Sequence, residues 1–180
     1  MKQVYPTTIQ SGMSQSESYI LMLLEPESGM QVPVFIGGHE AQSILVAKER
    51  VKTRRPMTHE LISMMMEEYG LTVEQVSIDR VLDGIFYATL HVNDGFTTKT
   101  FDCRSSDAIT LALLADRPIM MAEEVIEETG MRMENVELRM KNEELNIEEL
   151  EEELKRCEEK EEYERAAEIQ AQIERIKKTN

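Results

Sequence analysis

Apolar and polar residues alternate strictly along one segment of the chain, which begins directly after Asp83-Gly84. Every second residue from 86 to 92 is apolar, and the residues are Phe86, Ala88, Leu90 and Val92. Because successive side chains of a strand point to opposite faces of a sheet, this alternation predicts a strand with one buried face. Asp-Gly is a preferred two-residue turn, so the segment is expected to form a hairpin with the apolar run 76–82.

Three further segments have the composition of strands. The apolar runs 19–24 and 32–36 end at Glu25-Pro26 and Gly37-Gly38, which indicates two buried strands around a turn at Gly29. Residues 96–103 follow a second turn and predict the third strand of a meander. An antiparallel sheet is the expected result.

Helical spacing of apolar residues appears in four segments of the same region. Helices are expected from His39 to Lys48, from Thr58 to a stop at Gly70, after Ser106, and over residues 122–129. The second of these is expected to bury Leu61, Ile62, Met65 and Met66. Thr58 and Ser106 are candidate N-caps, because a hydroxyl can accept a hydrogen bond from a free backbone N–H of the first turn.

The last third of the chain has a different pattern. Residues 132–146 are polar and are expected to form an acidic, partly helical linker that begins after Met131. In residues 147–180 apolar residues recur at three- and four-residue steps on either side of the charged run 158–162, which predicts a helix, a turn and a second helix. Each helix is near the length of roughly 12–15 residues at which isolated helices are marginal, so the hairpin is expected to close on itself or on a partner.

The elements together predict an α+β fold with a mixed, largely antiparallel sheet and flanking helices. This domain is expected over residues 1–131, followed by the linker 132–146 and the helical hairpin 147–180. No segment is long and apolar enough to span a membrane, and the first residues lack the apolar run of a signal peptide. Cys103 and Cys157 fall in different units without a metal-binding spacing, so we expect a cytoplasmic protein.

The charge of the chain limits how it can bind nucleic acid. The formal net charge is −15, and residues 123–180 hold 20 of the 35 acidic residues. Because non-specific binding draws on neutralised phosphates, such a chain must meet nucleic acid through a local basic patch. One run of basic residues is a candidate, and it consists of Lys48, Arg50, Lys52, Arg54 and Arg55. The alternative is a solvated helix end whose cations complement the helix dipole.

Three short segments of the main domain combine charged residues with a turn. They are IGGHEA at residues 36–41, RRPMTHE at 54–60 and DCRSSDAITLAL at 102–113. The chain has no Walker loop, no Gly-x-Ser-x-Gly elbow, no HExxH helix and no paired CxxC, which removes several reaction classes.

These three segments, together with VLDGIFYATL at residues 81–90, resemble the bifunctional nuclease family. The resemblance covers roughly residues 18–131, and the four motifs occur in the family's order. It implies a phosphodiesterase that acts on DNA and/or RNA. Two positions depart from the family pattern, because Ser105 replaces a proline and Glu60 replaces an aspartate.

The matching positions imply a set of site residues. Glu40, Asp102 and Asp107 are candidate ligands of Mg²⁺ or Mn²⁺, since carboxylate oxygens suit these hard cations. Arg55 and Arg104 are candidates to clamp the phosphate in a bidentate manner. As catalytic residues we therefore expect Glu40, Arg55 and Arg104 together with His59, because histidine is a general acid or base suited to neutral pH. Each of these residues also has a structural alternative as a cap, a helix-dipole partner or a member of an ion-pair network.

The segment EEYERAAEIQAQIERI at residues 161–176 resembles the UVR motif of UvrB, UvrC and some protease adaptors. The motif usually continues with Arg-Asp where this chain has Gln170 and Ala171. The partner-binding residues implied by the resemblance are Tyr163, Ala166, Ala167, Ile169 and Ile173. The alternative is a charged antiparallel hairpin or the end of a coiled-coil dimer.

Two functions from different classes follow from these patterns. The first is a metal-dependent nuclease that a UVR hairpin recruits to a protein complex, with DNA repair as the expected process. The second is a non-enzymatic adaptor, in which the main domain binds a protein or small ligand and the hairpin docks it to a repair or proteolytic complex. The small domain and the apolar stripe of the hairpin also allow a homo-oligomer.

Overall fold

The computed structural model describes residues 1–11 and 18–132, together with Lys155 and Gln170. The elements of this part of the chain are β1 (Lys2–Ser11), β2 (Ser18–Glu25), β3 (Met30–Gly37), α1 (Gly38–Lys48), α2 (Thr58–Glu68), β4 (Thr72–Leu82), β5 (Ile85–Asn93), β6 (Thr98–Arg104), α3 (Ser105–Ala115), β7 (Ile119–Met121), α4 (Glu123–Thr129) and β8 (Met131–Arg132). Apart from Lys155 and Gln170, the predicted hairpin lies outside the described residues together with its partner-binding residues, as does almost all of the predicted linker.

The strands form one eight-stranded sheet in the order β6-β5-β4-β7-β1-β2-β3-β8. The neighbours β4 and β7 are parallel, and the other neighbouring pairs are antiparallel. The predicted class, α+β with a mixed and largely antiparallel sheet, is therefore confirmed.

The alternating segment forms β5 as the pattern predicts. Its even-numbered residues from Phe86 to Val92 are buried, and the odd-numbered residues face outwards. The turn before it uses positive φ at both Asp83 (51°) and Gly84 (76°), as a type I′ turn requires. The buried faces of β4 and β5 pack against α3, which contributes Ala108, Ile109 and other apolar side chains to the same core.

Helix α2 differs from the prediction. It contains no buried residue, and Leu61, Ile62 and Met65 are all exposed, whereas Met66 is partly buried against the core. The prediction that all four residues are core residues was therefore wrong for three of them. The physical reason is that α2 carries apolar residues on both faces, and only the face with Met66 packs against α3.

Three strands, β1, β7 and β8, were missed in the sequence. Strand β7 has only three residues, which is too short to show an alternation. Strand β1 has no clean alternation, since Pro6 interrupts it and its pairing with β2 shifts register between Pro6 and Ile9. Strand β8 is formed by Met131 and Arg132, which pair with β3 at the start of the segment expected to be a linker. None of the helices in the described part of the chain is long and apolar enough to cross a bilayer.

The curvature of the sheet is important for the site. Four strands separate β3 from β5 in the strand order, yet residues of β3, β5 and β6 line one common groove. The sheet therefore curls, and the N-terminal ends of α1 and α3 meet beside this groove.

Candidate active site

Arg104 connects residues of two separate motifs. It ends β6 and occupies the N-cap position of α3, with extended backbone angles (φ −68°, ψ 145°). Its Nη1 donates to Glu40 Oε1 at 3.0 Å, while its Nε and Nη2 donate to the two carboxylate oxygens of Asp107 at 2.8 and 3.1 Å. Glu40 and Asp107 lie in the first turns of α1 and α3, where the helix dipole favours acids. The structure thus brings the IGGHEA and DCRSSDA segments together through one guanidinium.

His59 joins this cluster from the third motif. Its Nε2 lies 2.9 Å from Asp107 Oδ1, and its side chain is only 16% exposed. Burial raises the pKa of the Asp107 carboxyl, but hydrogen bonds from Arg104 and His59 lower it by more, so the pKa lies below its ordinary value. Because the carboxylate is ionised and accepts, Nε2 of His59 carries the proton in this hydrogen bond.

Arg104 retains hydrogen-bonding capacity for a ligand. A guanidinium has five N–H donors, and the three hydrogen bonds to Glu40 and Asp107 leave one N–H on Nη1 and one on Nη2. Its side chain is 67% exposed, and its pKa is raised by the hydrogen bond and charge of Asp107, followed by the hydrogen bond of Glu40. The arginine is therefore a fixed, permanently charged fork that suits a phosphate.

Gly37 controls the position of the Glu40 carboxylate. A Cβ built on Gly37 would lie 2.6 Å from Glu40 Oε2, which is inside contact distance. The backbone of Gly37 is ordinary (φ −79°), so the close approach to the side chain, and no backbone strain, is what favours glycine here. The first glycine of IGGHEA thus leaves space for the acid that binds Arg104.

A groove of about 480 Å³ lies next to this cluster. Its wall includes Glu40, Asp102 and Arg104, and the aromatic side chains of Phe35 and Tyr87 line it as well. His59 and Asp107 do not line this groove, and His59 instead contacts the junction of α1, α2 and α3. The geometry favours a positioning role for His59, which holds Asp107 and through it Arg104, over direct proton transfer to a bound substrate.

The predicted metal ligands are not gathered into one site. Glu40 and Asp102 share the groove wall, but both oxygens of Asp107 are bonded to Arg104, and Arg104 lies between Glu40 and Asp107. In residues 1–11 and 18–132, no three His, Cys, Asp or Glu side chains form a group that could hold a metal ion. The three-carboxylate arrangement does not fit a metal centre as the side chains stand.

The basic run is divided by its contacts. Lys48 donates to the backbone oxygen of Thr7, and Arg50 forms an ion pair with Asp116 at 3.4 Å. The other three cations are Lys52, Arg54 and Arg55. They are exposed and form no ion pair with a described residue. Arg55, which was predicted to join Arg104 at the phosphate, lies outside the hydrogen-bonded cluster.

The loop that carries these three cations is fixed by Glu60. Its Oε2 accepts from the Thr53 hydroxyl at 2.9 Å and from the Met57 backbone N–H at 2.7 Å, and Thr53 also donates to the Arg55 backbone oxygen. Glu60 follows His59 directly, so one helical turn holds both the loop and the charged cluster. The glutamate that replaces the family's aspartate therefore has a structural task.

The two predicted caps are not formed. Helix α2 starts at Thr58 and helix α3 at Ser105, so their N-cap residues are Met57 and Arg104, and neither makes a side-chain cap. Ser106 is buried inside the first turn of α3, where its backbone oxygen accepts from Thr110. Both helices begin earlier than the hydroxyl positions indicate, because the preceding residue already has extended geometry.

Cys103 is packed in the sheet. Burial, followed by the charges of Asp107 and Asp102, raises the pKa of this thiol to about 11. Its Sγ lies 3.7 Å from the Ala88 backbone oxygen. A protonated, half-buried thiol is a poor nucleophile, so Cys103 serves as a packing residue of the sheet.

The fold and the cluster define a class of protein first: an α+β domain with an arginine held by two acids at the mouth of a groove. Comparison with known sequences then gives the family. Residues 21–134, well over half of the chain, match the bifunctional nuclease domain, and residues 144–179 match the UvrB/uvrC motif. The chain belongs to the bifunctional nuclease domain family and carries a UVR motif.

Individual relatives agree with this assignment. An uncharacterized protein of Mycobacterium tuberculosis is 30% identical over 112 residues, which cover 62% of this chain and 66% of that protein. Bifunctional nuclease 2 of Arabidopsis thaliana is 25% identical over 119 residues, or 64% of this chain and 36% of the plant protein. Bifunctional nuclease 2 of Oryza sativa is 25% identical over 122 residues, which cover 38% of the rice protein. The chain thus matches just under two thirds of the mycobacterial protein and little more than a third of the plant proteins.

Proposed function

We propose that this protein is a phosphodiesterase that cleaves DNA and/or RNA, with Arg104 as the residue that binds the scissile phosphate. The observation that carries the proposal is the fixation of Arg104 by Glu40 and Asp107, which leaves two of its N–H donors directed to no described residue. Preorganised donors stabilise charge on non-bridging oxygens without reorganisation during the reaction. The names of the plant relatives agree with this class of reaction.

The groove also provides a carboxylate that is available for proton transfer. Asp102 is exposed on the groove wall, and its carboxylate accepts no hydrogen bond from a described residue. In the proposed reaction a water attacks the phosphorus, its proton passes to Asp102, and the bond between phosphorus and the leaving sugar oxygen breaks. Solvent protonates the leaving oxygen. Glu40, in contrast, acts by holding Arg104.

The need for Mg²⁺ or Mn²⁺ remains a prediction from the family resemblance. Because the described carboxylates do not form a three-ligand group, none of the steps above passes through a metal ion. Cleavage with either ion and with chelator measures this requirement separately.

We further propose that the UVR motif recruits the domain to a protein partner, with DNA repair as the process. Residues 144–179 match the motif, and amphipathic helices, which the sequence predicts here, commonly dock to partners through one apolar face. The residues proposed to contact the partner are Tyr163, Ala166, Ala167, Ile169 and Ile173.

The experiment is cleavage of single-stranded DNA, double-stranded DNA and RNA by the full chain, compared with an Arg104→Ala variant and a Glu40→Ala, Asp107→Ala double variant. Activity that is lost in both variants while circular dichroism and melting stay cooperative supports the proposal. Equal activity in all three proteins places the reaction elsewhere or in a contaminant. Absence of cleavage in the wild type rejects the nuclease.

One observation favours the adaptor as the second candidate. Glu40 and Asp107 are both engaged in ion pairs with Arg104, as in a structural network, and α2 exposes several apolar side chains that a protein could cover. An adaptor would show no cleavage and would keep partner binding when Arg104 is replaced. Cleavage that depends on Arg104 excludes it.

A further inference from the structure

Beside Arg104, the outer face of the sheet carries a second arginine and an aromatic ring in register. Arg80 on β4 pairs with Tyr87 on β5, and Tyr87 pairs with Arg104 on β6. Directly opposed residues of antiparallel strands share one face of the sheet, so the three side chains form one row, here called the arginine–tyrosine row. With strands about 4.8 Å apart, the two arginines are separated by about 10 Å along it.

Tyr87 holds Arg80 within this row, and no acid of the described residues neutralises the charge of Arg80. Its guanidinium carbon lies 4.5 Å from the centroid of the Tyr87 ring, a cation–π contact that holds the side chain in place. Arg80 is exposed and forms no ion pair with any residue of the described ranges, in contrast to Arg50 and Arg104. The Arg80 guanidinium can therefore bind an anionic ligand that accepts its hydrogen bonds.

The groove next to the row presents apolar surface to solvent. Phe35 is 49% exposed and Ile85 is 60% exposed, and both line the groove together with Tyr87 and Arg104. Unstacked bases bind proteins by stacking on aromatic rings, whereas the base faces of a duplex are covered by their neighbours. An exposed phenylalanine beside a phosphate-binding arginine therefore suits an unpaired nucleotide.

The neighbouring row of the same face limits where a strand can lie. Thr89 pairs with Asp102 and donates to Asp79 Oδ2 at 2.6 Å, so two carboxylates flank it. Away from the phosphate that Arg104 holds, these acids repel the backbone of a bound strand, which leaves the arginine–tyrosine row as the cationic path across β4, β5 and β6.

We propose that the arginine–tyrosine row and Phe35 form a binding track for single-stranded nucleic acid, in which Arg104 and Arg80 bind phosphates of one strand and Phe35 stacks on an unpaired base. This inference rests on the proposed nuclease function, because Arg104 is the shared phosphate ligand. It adds a substrate class, single strands over duplex, and two residues outside the motifs, Arg80 and Phe35, together with Tyr87 of the VLDGIFYATL segment.

Fluorescence anisotropy with the full chain tests the track. The probe is a labelled, nuclease-resistant phosphorothioate oligothymidylate of roughly 12 nucleotides, within the usual range of single-strand sites, and its duplex with oligoadenylate is the comparison. Phe35→Ala is expected to weaken single-strand binding at least about fivefold without changing its salt dependence. Arg80→Ala is expected to lower the slope of log K against log salt by about 0.7, the contribution of one phosphate of a single strand.

Matched controls separate these effects from a general loss of aromatic surface or charge. Phe96→Ala removes an exposed ring and Arg117→Ala an exposed cation, both outside the groove, and neither is expected to change binding. Equal affinity for single strand and duplex, no binding of the single strand, or unchanged binding in both Phe35→Ala and Arg80→Ala overturns the track.

Cleavage of the unmodified oligonucleotide, measured in parallel, distinguishes the two proposals. A wild type that binds single strands through Phe35 and Arg80 but cleaves nothing contradicts the nuclease and supports the track as a binding site. A wild type that cleaves while Phe35→Ala and Arg80→Ala behave like it supports the nuclease and overturns the track.

Discussion

Two cationic regions of the protein are built in opposite ways. The Arg104 centre takes its residues from three distant motifs, and each charged group is fixed by another: Glu40 and Asp107 hold Arg104, and His59 holds Asp107. The basic run 48–55 has five cations close in sequence, but two are engaged elsewhere and three project from a loop. Residues that the fold brings together from distant motifs thus form a fixed geometry suited to a reaction. Cations that are only close in sequence form a diffuse positive charge, which suits weak attraction of an anionic ligand.

Replacement of Arg104 is expected to have the largest effect. Arg104→Ala removes the donors that we propose bind the scissile phosphate, and loss of one preorganised donor typically lowers kcat by about 10²- to 10³-fold. Steady-state cleavage of a single-stranded oligonucleotide measures it, and Arg117→Ala serves as the control for one lost surface cation. A decrease in kcat smaller than about threefold would mean that Arg104 contributes no more to the reaction than a cation of the basic run, which would contradict the difference between the two regions.

The basic run is expected to affect binding more than the reaction step. In a triple variant of Lys52, Arg54 and Arg55 to glutamine, the slope of log K against log salt should fall by up to about 2, if each cation meets one phosphate of a single strand. The matched control changes Lys48 and Arg50, which already have partners, and should leave the slope nearly unchanged. If both variants lose the same slope, the contacts seen in the structure do not distinguish the cations that bind nucleic acid from those that do not.

Acid should weaken the Arg104 centre through Asp107. Its pKa is lower in the folded protein than in the unfolded chain, so the unfolded chain binds more protons at acidic pH. The resulting stabilisation is complete above the ordinary aspartate pKa of about 3.9 and is lost as pH falls through the lower folded value. Asp107→Asn removes this pH-dependent stabilisation, so the difference in Tm between wild type and variant should be largest at neutral pH and shrink below about pH 4.

Thermal melting of the two proteins over this pH range is the measurement. Asp94→Asn is the matched control in the loop between β5 and β6. There the backbone N–H of Thr97, together with Lys99 and the N–H of Phe96, lowers the pKa to about 2. Its pH dependence should have the same sign but no consequence for cleavage. A constant difference in Tm between wild type and Asp107→Asn at all pH values would contradict the assigned ionisation of Asp107.

The smallest predicted effect comes from Gly37. In Gly37→Ala the added methyl group displaces the Glu40 carboxylate from its position 2.6 Å away, which should loosen Arg104. An off-rotamer side chain costs roughly 0.5–1.5 kcal/mol, so kcat should fall about two- to tenfold while Tm stays close to that of the wild type. A lower Tm with unchanged kcat would assign Gly37 to stability alone.

The sequence predicts most of the fold because most elements have one clear pattern. The alternation in β5 and the turn at Asp83-Gly84 correspond directly to the observed hairpin. Strand β1 was missed because Pro6 and a register shift break its pattern, and α2 was placed in the core because it has apolar residues on two faces. Which face of such a helix is buried depends on its neighbours, and these are set by tertiary packing.

The candidate site shows a similar division. Motif resemblance indicates Glu40, Arg104 and Asp107, and the structure places all three in one hydrogen-bonded cluster. The roles could not be read from residue type, since two of the three carboxylates predicted to bind a metal, Glu40 and Asp107, instead bind Arg104. Arg80 was missed because only strand register places it beside Tyr87, and Phe35 was missed because only the curvature of the sheet brings β3 to the groove. Tyr87 was the one available signal, because it lies in the VLDGIFYATL segment.

We propose that Arg104 acts in the reaction while the basic run acts in binding. The most direct test measures the single-turnover cleavage rate at saturating protein and Kd for the same single-stranded oligonucleotide in wild type, Arg104→Lys and the triple variant of Lys52, Arg54 and Arg55. We expect Arg104→Lys to lose mainly cleavage rate, because an ammonium cannot replace the bidentate fork, and the triple variant to lose mainly affinity. A triple variant that loses as much rate as Arg104→Lys, or an Arg104→Lys protein that cleaves like wild type, would contradict this proposal.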